Sequence, residues 1–279
     1  MDLINQLKYN FKNGDLSIRL IFICVGVFVL DSILRLFSVH LSNYFSLGSS
    51  WDGFLRQPWG ILTYPFFHGN LIHLVLNMLM LYIMGKFFLR YFRNHDLLTF
   101  FIFGAISGGI FFVFLSPLIG APAVLVGASA AVYSIFFALV SYVPKMRVQL
   151  AIVNITLPLD YLAYGLLGFD LLMILLDNNA GGHISHLGGA AFGFLYMKQF
   201  EKGNDFLCKL IQNLIPSKKA VKPQRTERRR PPRDDYEFNA QKVDIQNKIN
   251  EILDKISHSG YESLSKAEQD FLFKHRNNG

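Results

Sequence analysis

The 279 residues are 52% hydrophobic and only 17% charged, with a formal net charge of +7. The charges gather at the N-terminus, in short connecting segments and beyond about Lys198, so the first 200 residues are too apolar for a water-soluble domain and the remainder is a different kind of chain. Cys24 and Cys208 share no disulfide or zinc-ligand spacing and no His-Glu-x-x-His run occurs, which disfavours a disulfide scaffold and a metalloprotease of that type; no metal or cofactor is expected.

Met1 to Ser17 is polar and lacks a small-residue cleavage signal, so the first apolar run is expected to be retained. Six runs are long enough to cross a bilayer: 17–38, 71–92, 97–117, 124–143, 159–177 and 183–199. Basic residues alternate between connections. Lys8, Lys12 and Arg19 lie at the start of the first run, Lys86, Arg90 and Arg93 at the turn-around that ends the second, Lys145 and Arg147 after the fourth, and Lys198 and Lys202 at the close of the sixth. The positive-inside rule therefore puts both termini in the cytoplasm, as expected of a multi-pass protein of a bacterial inner membrane. The long first connection, 39–70, then lies outside, and Trp51, Trp59, Tyr64, Phe66 and Phe67 suit it to the interface. Asp31 has Arg35 one turn away as a partner. The stretch 148–157 reads as an interfacial lead-in, with Pro158 opening the fifth run.

Beyond the membrane the chain is basic and proline-containing over 216–239, including Arg228-Arg229-Arg230-Pro231-Pro232-Arg233, a linker placed to touch anionic headgroups but with no domain around it for nucleic acid. Ile245, Ile249, Ile252, Leu253 and Ile256 then share one helical face, Gly260 ends that helix, and Ser265 with Glu268 forms a capping box for a second. The expected fold is an all-α polytopic membrane protein, a six-helix bundle with a small cytoplasmic C-terminal helical hairpin. Its divisions are 1–16, 17–201, 202–240 and 241–279, and the hairpin is offered to a protein partner.

Within the bundle a few polar residues stand out, because a polar side chain in a bilayer costs free energy unless it meets a partner or water. Spans two, four and six all enter from the outside, carrying His73 with Asn77, Ser129, and His186 near their starts. At 1.5 Å per residue all four share one layer within roughly 10 Å of the outer face. Such types support acyl transfer. A serine hydroxyl is a weak nucleophile until a base takes its proton, and histidine is suited to that near neutral pH. The Ser129 N–H, Asn77 and His73 can hold an oxyanion, and Gly127 lets backbone approach a substrate carbonyl. Tyr133, one turn after Ser129, is expected to pack beneath the His186 ring. With only Asp177 as a nearby acid, a dyad is expected instead of a triad; Asp170, inside span five, is given no role. His183 is read as interfacial, His68 as stabilising the loop and His40 as solvated.

These motifs resemble those of rhomboid intramembrane serine proteases over about residues 17–200. Trp59, then Tyr64-Pro65-Phe66-Phe67-His68, then His73-Leu74-Val75-Leu76-Asn77-Met78 with Gly85, match that family's outer loop and second helix. Gly127-Ala128-Ser129-Ala130 with Tyr133 resembles its nucleophile motif, and His186-Leu187-Gly188-Gly189 with Gly193 its histidine helix. The resemblance implies that span six packs on span four, that the catalytic pair is Ser129 and His186, and that the substrate is a membrane-spanning segment of another protein, single-span or polytopic. It departs at Ala130, Gly60 and Leu89, where the family usually has glycine, arginine and glutamate. The alternative is a non-catalytic rhomboid-like protein that binds membrane helices.

Overall fold

The computed structural model describes residues 3–120, 124–150, 155–176, 179–214, 247–256, 258, 260 and 263–275. The chain divides into two compact units, Met1–Glu227 and Arg228–Gly279. The first begins with an amphipathic helix α1 (Leu3–Asn13), followed by α2 (Leu16–Arg35), α3 (Leu71–Phe88), α4 (Asn94–Leu115), α5 (Ser129–Tyr142), α6 (Leu159–Leu176), α7 (Ala180–Glu201) and α8 (Phe206–Leu214). Among the described residues four helices are long and apolar enough to cross a membrane: Leu16–Arg35, Leu71–Phe88, Asn94–Ile119 and Leu159–Leu176.

The other two expected spans differ in instructive ways. The run 124–143 is helical only from Ser129; Val124–Leu125 before it is a strand, β2. At 14 residues α5 is roughly 21 Å long, well short of a ~30 Å hydrocarbon layer. The last run is a helix of 22 residues that starts at Ala180, three residues earlier than expected, and its glycines and histidines dilute its apolarity. Both are shielded by neighbours, and their composition reflects helix contact more than lipid contact.

Helix α4 runs antiparallel to α5 and α7, which run parallel to each other. The spacing of small residues dictates this. A Cβ on Gly189 or Gly193 would strike the backbone of Ala130 or Ser134, and one on Gly104 would strike the Ser134 side chain. Such backbone-to-backbone approach is what small residues four apart permit. At one end of the unit Phe88, Phe92, Phe100, Tyr142, Tyr196 and Phe200 interlock, with Phe92 4.8 Å from Tyr142 and Phe100 5.3 Å from Tyr196. The same end holds the Lys86 to Asp15 ion pair, 2.7 Å, in which Asp15 also caps α2 by accepting from the Ile18 N–H. Helix α6 is more loosely held, and an apolar cleft of about 530 Å³ lined by Phe137, Val140, Leu167, Leu187 and Phe194 separates it from α5 and α7.

At the opposite end the long 39–70 connection folds into short helical turns and a strand β1 (Leu47–Gly48), which pairs antiparallel with β2, Leu47 opposite Leu125 and Gly48 opposite Val124. Trp59 Nε1 donates to Tyr44 O at 2.7 Å, Thr63 Oγ1 to Phe45 O at 2.7 Å and the buried Tyr64 hydroxyl to Ala105 O at 2.8 Å. The expected Asp31 to Arg35 pair forms at 2.7 Å, and Asp31 also accepts from the Ser42 N–H.

In the expected lead-in at 148–157 the described residues belong to a pair of antiparallel strands, Arg147–Leu150 and Ile155–Pro158. Residues 151–154 lie outside the described residues. In the second unit, α9 (247–256) and α10 (Lys266–His275) are helical, Ile252 and Leu264 are buried, and Lys255 meets Glu268 at 3.0 Å. The capping box is made, with the Ser265 N–H on Glu268 at 2.7 Å; hydrogen bonds from Ser265 and Lys255 push the Glu268 carboxyl down to about 2. Ile245 and the basic run 216–239 lie outside the described residues.

Candidate active site

The loop end of the first unit collects the polar residues that the sequence singles out. Helix α3 is started by Asn70, whose side chain accepts from the His73 N–H at 2.8 Å, so the cap fixes the turn that carries the imidazole. One turn on, Asn77 Nδ2 donates to His73 O at 2.8 Å, and Asn77 Oδ1 is buried with no hydrogen-bond partner among the described residues. The His73 ring lies against Gly127. That glycine has φ of +116°, and a Cβ there would sit 2.6 Å from the ring, so both backbone and space require glycine. Its N–H donates to Tyr64 O at 3.1 Å, which extends the β1–β2 tie between the long loop and the segment entering α5.

Ser129 is the first residue of α5, half-buried, where backbone N–H groups have no carbonyl partner within the helix and the helix dipole is positive. Helices α5 and α7 cross at Ala130 and Gly189, so Ser129 is one residue and His186 three residues ahead of the same crossing. The rings of Tyr133 and His186 stack with centroids 4.3 Å apart and planes 19° from parallel. His73 is close enough to interact electrostatically with His186. The described contacts join Asn77, His73 and Gly127 to one another and Tyr133 to His186, while Ser129 is placed by its position one residue before the crossing.

Two further residues join His186, and one of them, Asp170, corrects the sequence reading. Asp170 is fully buried in α6, and its Oδ1 is 2.8 Å from His186 Nδ1 and 2.7 Å from His183 Nδ1. An acid does reach His186, from a residue left without a role, while Asp177 lies outside the described residues. His183 is buried in this group, with Nδ1 held by the Asp170 carboxylate. Asp170 is six residues from the end of α6 and His186 six from the start of α7, so they share a depth. Starting span six at 183 concealed the match. His68 is buried behind His73, ring centroids 5.3 Å apart. Burial, helped by His73, pushes His68 down to about 4.

The Asp170, His183 and His186 ligand atoms lie within 4.8 Å of one another, a set whose composition suits a divalent cation. Both imidazole nitrogens are at hydrogen-bond distance from one oxygen, closer than the roughly 3.3 Å that ligands of a tetrahedral zinc keep from each other. The arrangement is a hydrogen-bonded one.

The Rhomboid domain family matches residues 55–200, more than half of the chain. The chain belongs to the rhomboid family. RHOMBOID-like protein 12, mitochondrial, from Arabidopsis thaliana is 27% identical over 206 residues, covering 69% of this chain and 60% of the relative. This rhomboid therefore spans about 60% of that relative's length. A second match, to a family of unknown function (DUF6576), takes in residues 234–276. Two of the rhomboid's departures from the family pattern have local compensations. The Ala130 methyl is fully buried facing Gly108 of α4, which has no side chain to oppose it. Gly60 is buried against the Ser46 backbone, where a Cβ would collide, and the loop is held by the Trp59 and Thr63 hydrogen bonds. Nothing in the structure explains Leu89.

Proposed function

We propose that this rhomboid is a serine endopeptidase that cuts membrane-spanning segments of single-span or polytopic proteins. Ser129 Oγ attacks the scissile carbonyl as Nε2 of His186 takes its proton, and the proton passes to the leaving amine. Water activated by the same imidazole then releases the acyl group from Ser129. The oxyanion is held by the Ser129 N–H, the second N–H of Asn77 Nδ2 and the His73 ring, with Gly127 leaving room for the substrate backbone.

The observation that carries this reading is the Tyr133 to His186 stack at the α5–α7 crossing, which orients an imidazole at the point where Ser129 opens its helix. Six spans are proposed, with α5 and α7 crossing inside the bundle. The basic end is assigned to the cytoplasm with both termini, and the site to the extracytoplasmic side. Substrate enters beside the loosely held α6. A bacterial inner membrane is part of this proposal and takes no support from the Arabidopsis relative, which is named as mitochondrial. The proposed divisions are 1–16, a membrane domain 17–201, a linker 202–240 and a C-terminal helical hairpin 241–279 that docks a protein.

The test is labelling of detergent-purified protein with a fluorophosphonate, comparing wild type with Ser129→Ala and His186→Ala. Loss in both variants is expected. Equal labelling of all three discards the enzyme and leaves a helix-binding rhomboid.

A further inference from the structure

We propose that Asp170 is a positioning residue for His186, that His183 holds the carboxylate for that task, and that the site works as Ser129, His186 and Asp170 in series. The inference rests on the serine-protease reading above.

A carboxylate inside a membrane helix is expensive unless it is paired. Asp170 is fully buried, and its described partners are two imidazoles on one face of α7, three residues apart, both meeting Oδ1 through Nδ1. Its other oxygen has no hydrogen-bond partner among the described residues, although the Tyr133 phenol is near enough to interact with the carboxylate. A bundle needing only helix adhesion is not served by a half-satisfied acid at the depth of the proposed base.

The geometry fixes a tautomer. With Nδ1–H of His186 donated to Asp170, Nε2 is left bare to accept the serine proton. Once it does, the imidazolium faces a carboxylate where the local dielectric is low, which stabilises the charge as it forms. His183 draws on the same oxygen, limiting how far that carboxylate raises the basicity of His186. Among the described residues the other titratable groups facing His186 are Tyr133 from α5 and His73 from α3, with His68 behind His73.

The experiment measures fluorophosphonate labelling rate against pH for wild type, Ser129→Ala, Asp170→Asn, Asp170→Glu and His183→Phe, each checked for a monodisperse elution profile in detergent. Asp170→Asn removes the charge and can hold the wrong tautomer. Its rate should fall about 10²–10⁴-fold, and the pH at which labelling is lost on acidification should move down. Asp170→Glu should recover part of the rate with the acid limb in place. His183→Phe should move that limb up, because the carboxylate is no longer shared. Opposite movements are not produced by a residue that merely packs. If Ser129→Ala abolishes labelling while Asp170→Asn labels within about twofold of wild type with an unmoved limb, the inference fails and the protease stands. If Asp170→Asn aggregates, an unmoved limb in His183→Phe overturns it. If wild type and Ser129→Ala label alike, the protease reading falls and takes the inference with it.

Discussion

The ring of Tyr133 lies 4.3 Å from the ring of His186 and nearly parallel to it, with Phe137 continuing the stack at 5.9 Å. An imidazole confined between a flat neighbour and a hydrogen-bonded Nδ1 has few other orientations to visit. An aromatic pair of this kind is worth about 0.5–1.5 kcal/mol beyond the area it buries. Tyr133→Ala should therefore slow serine labelling about 3- to 10-fold, while Tyr133→Phe, which keeps the stack, should stay within about threefold. Equal rates in Ala and Phe variants would show that the stack does not orient the base.

The parallel contact of α5 and α7 depends on the absence of side chains at Gly189 and Gly193, which face the Ala130 and Ser134 backbones. Gly189→Ala or Gly193→Ala must push the helices apart, and overpacking of this sort costs about 1–3 kcal/mol or more. Gly165→Ala is the matched control, since a methyl there meets nothing within 4 Å. Thermal unfolding in detergent should show the first two variants clearly destabilised and the third unchanged or slightly raised, because alanine favours helix. A harmless Gly189→Ala would contradict the packing described.

Helical rise is a constant, and that makes the depth of a residue in a span readable from sequence. Given span starts and a direction, His73, Asn77, Ser129 and His186 fall into one layer without any contact being known. Boundaries were less legible, and that is where Asp170 was lost. Three residues of error at Ala180 moved His186 by about 4.5 Å. The β1–β2 pairing was also hidden, because two-residue strands leave no period to detect, and Val124-Leu125 reads equally as membrane helix. Gly127 could be singled out by its neighbours, but its positive φ comes from the loop that receives its N–H at Tyr64.

His68 supplies a pH test of stability. Its folded value, about 4, lies below the ordinary 6.5, so between these values the unfolded chain binds more protons than the native one. The contribution is fully present above about 6.5 and declines as pH falls toward 4, by at most about 3 kcal/mol. Neither ring nitrogen has hydrogen-bond geometry to a partner among the described residues, though the Phe66 backbone is near enough to oppose the shift. Thermal midpoints of wild type should fall from pH 7 to pH 4.5 more steeply than those of His68→Phe. Parallel slopes would place His68 in a wetter setting than the one seen.

Gly127→Ala separates geometry at the site from stability of the fold. At φ of +116° any side chain is strained, by about 1–3 kcal/mol, and here the new methyl would also displace the His73 ring. The β1–β2 pairing and the α5–α7 crossing do not involve that methyl, so the protein should still fold with a modestly lowered thermal midpoint. Serine labelling should fall much further than stability, by about 10-fold or more, because the strained segment ends two residues before Ser129 and the displaced imidazole is one of the proposed oxyanion donors. A companion His73→Ala variant locates the cause. If steric displacement of the ring dominates, Gly127→Ala should cost little further labelling in the His73→Ala background; if backbone strain dominates, the two losses should multiply. Full activity in Gly127→Ala would mean that neither the turn nor the ring it supports bears on the serine.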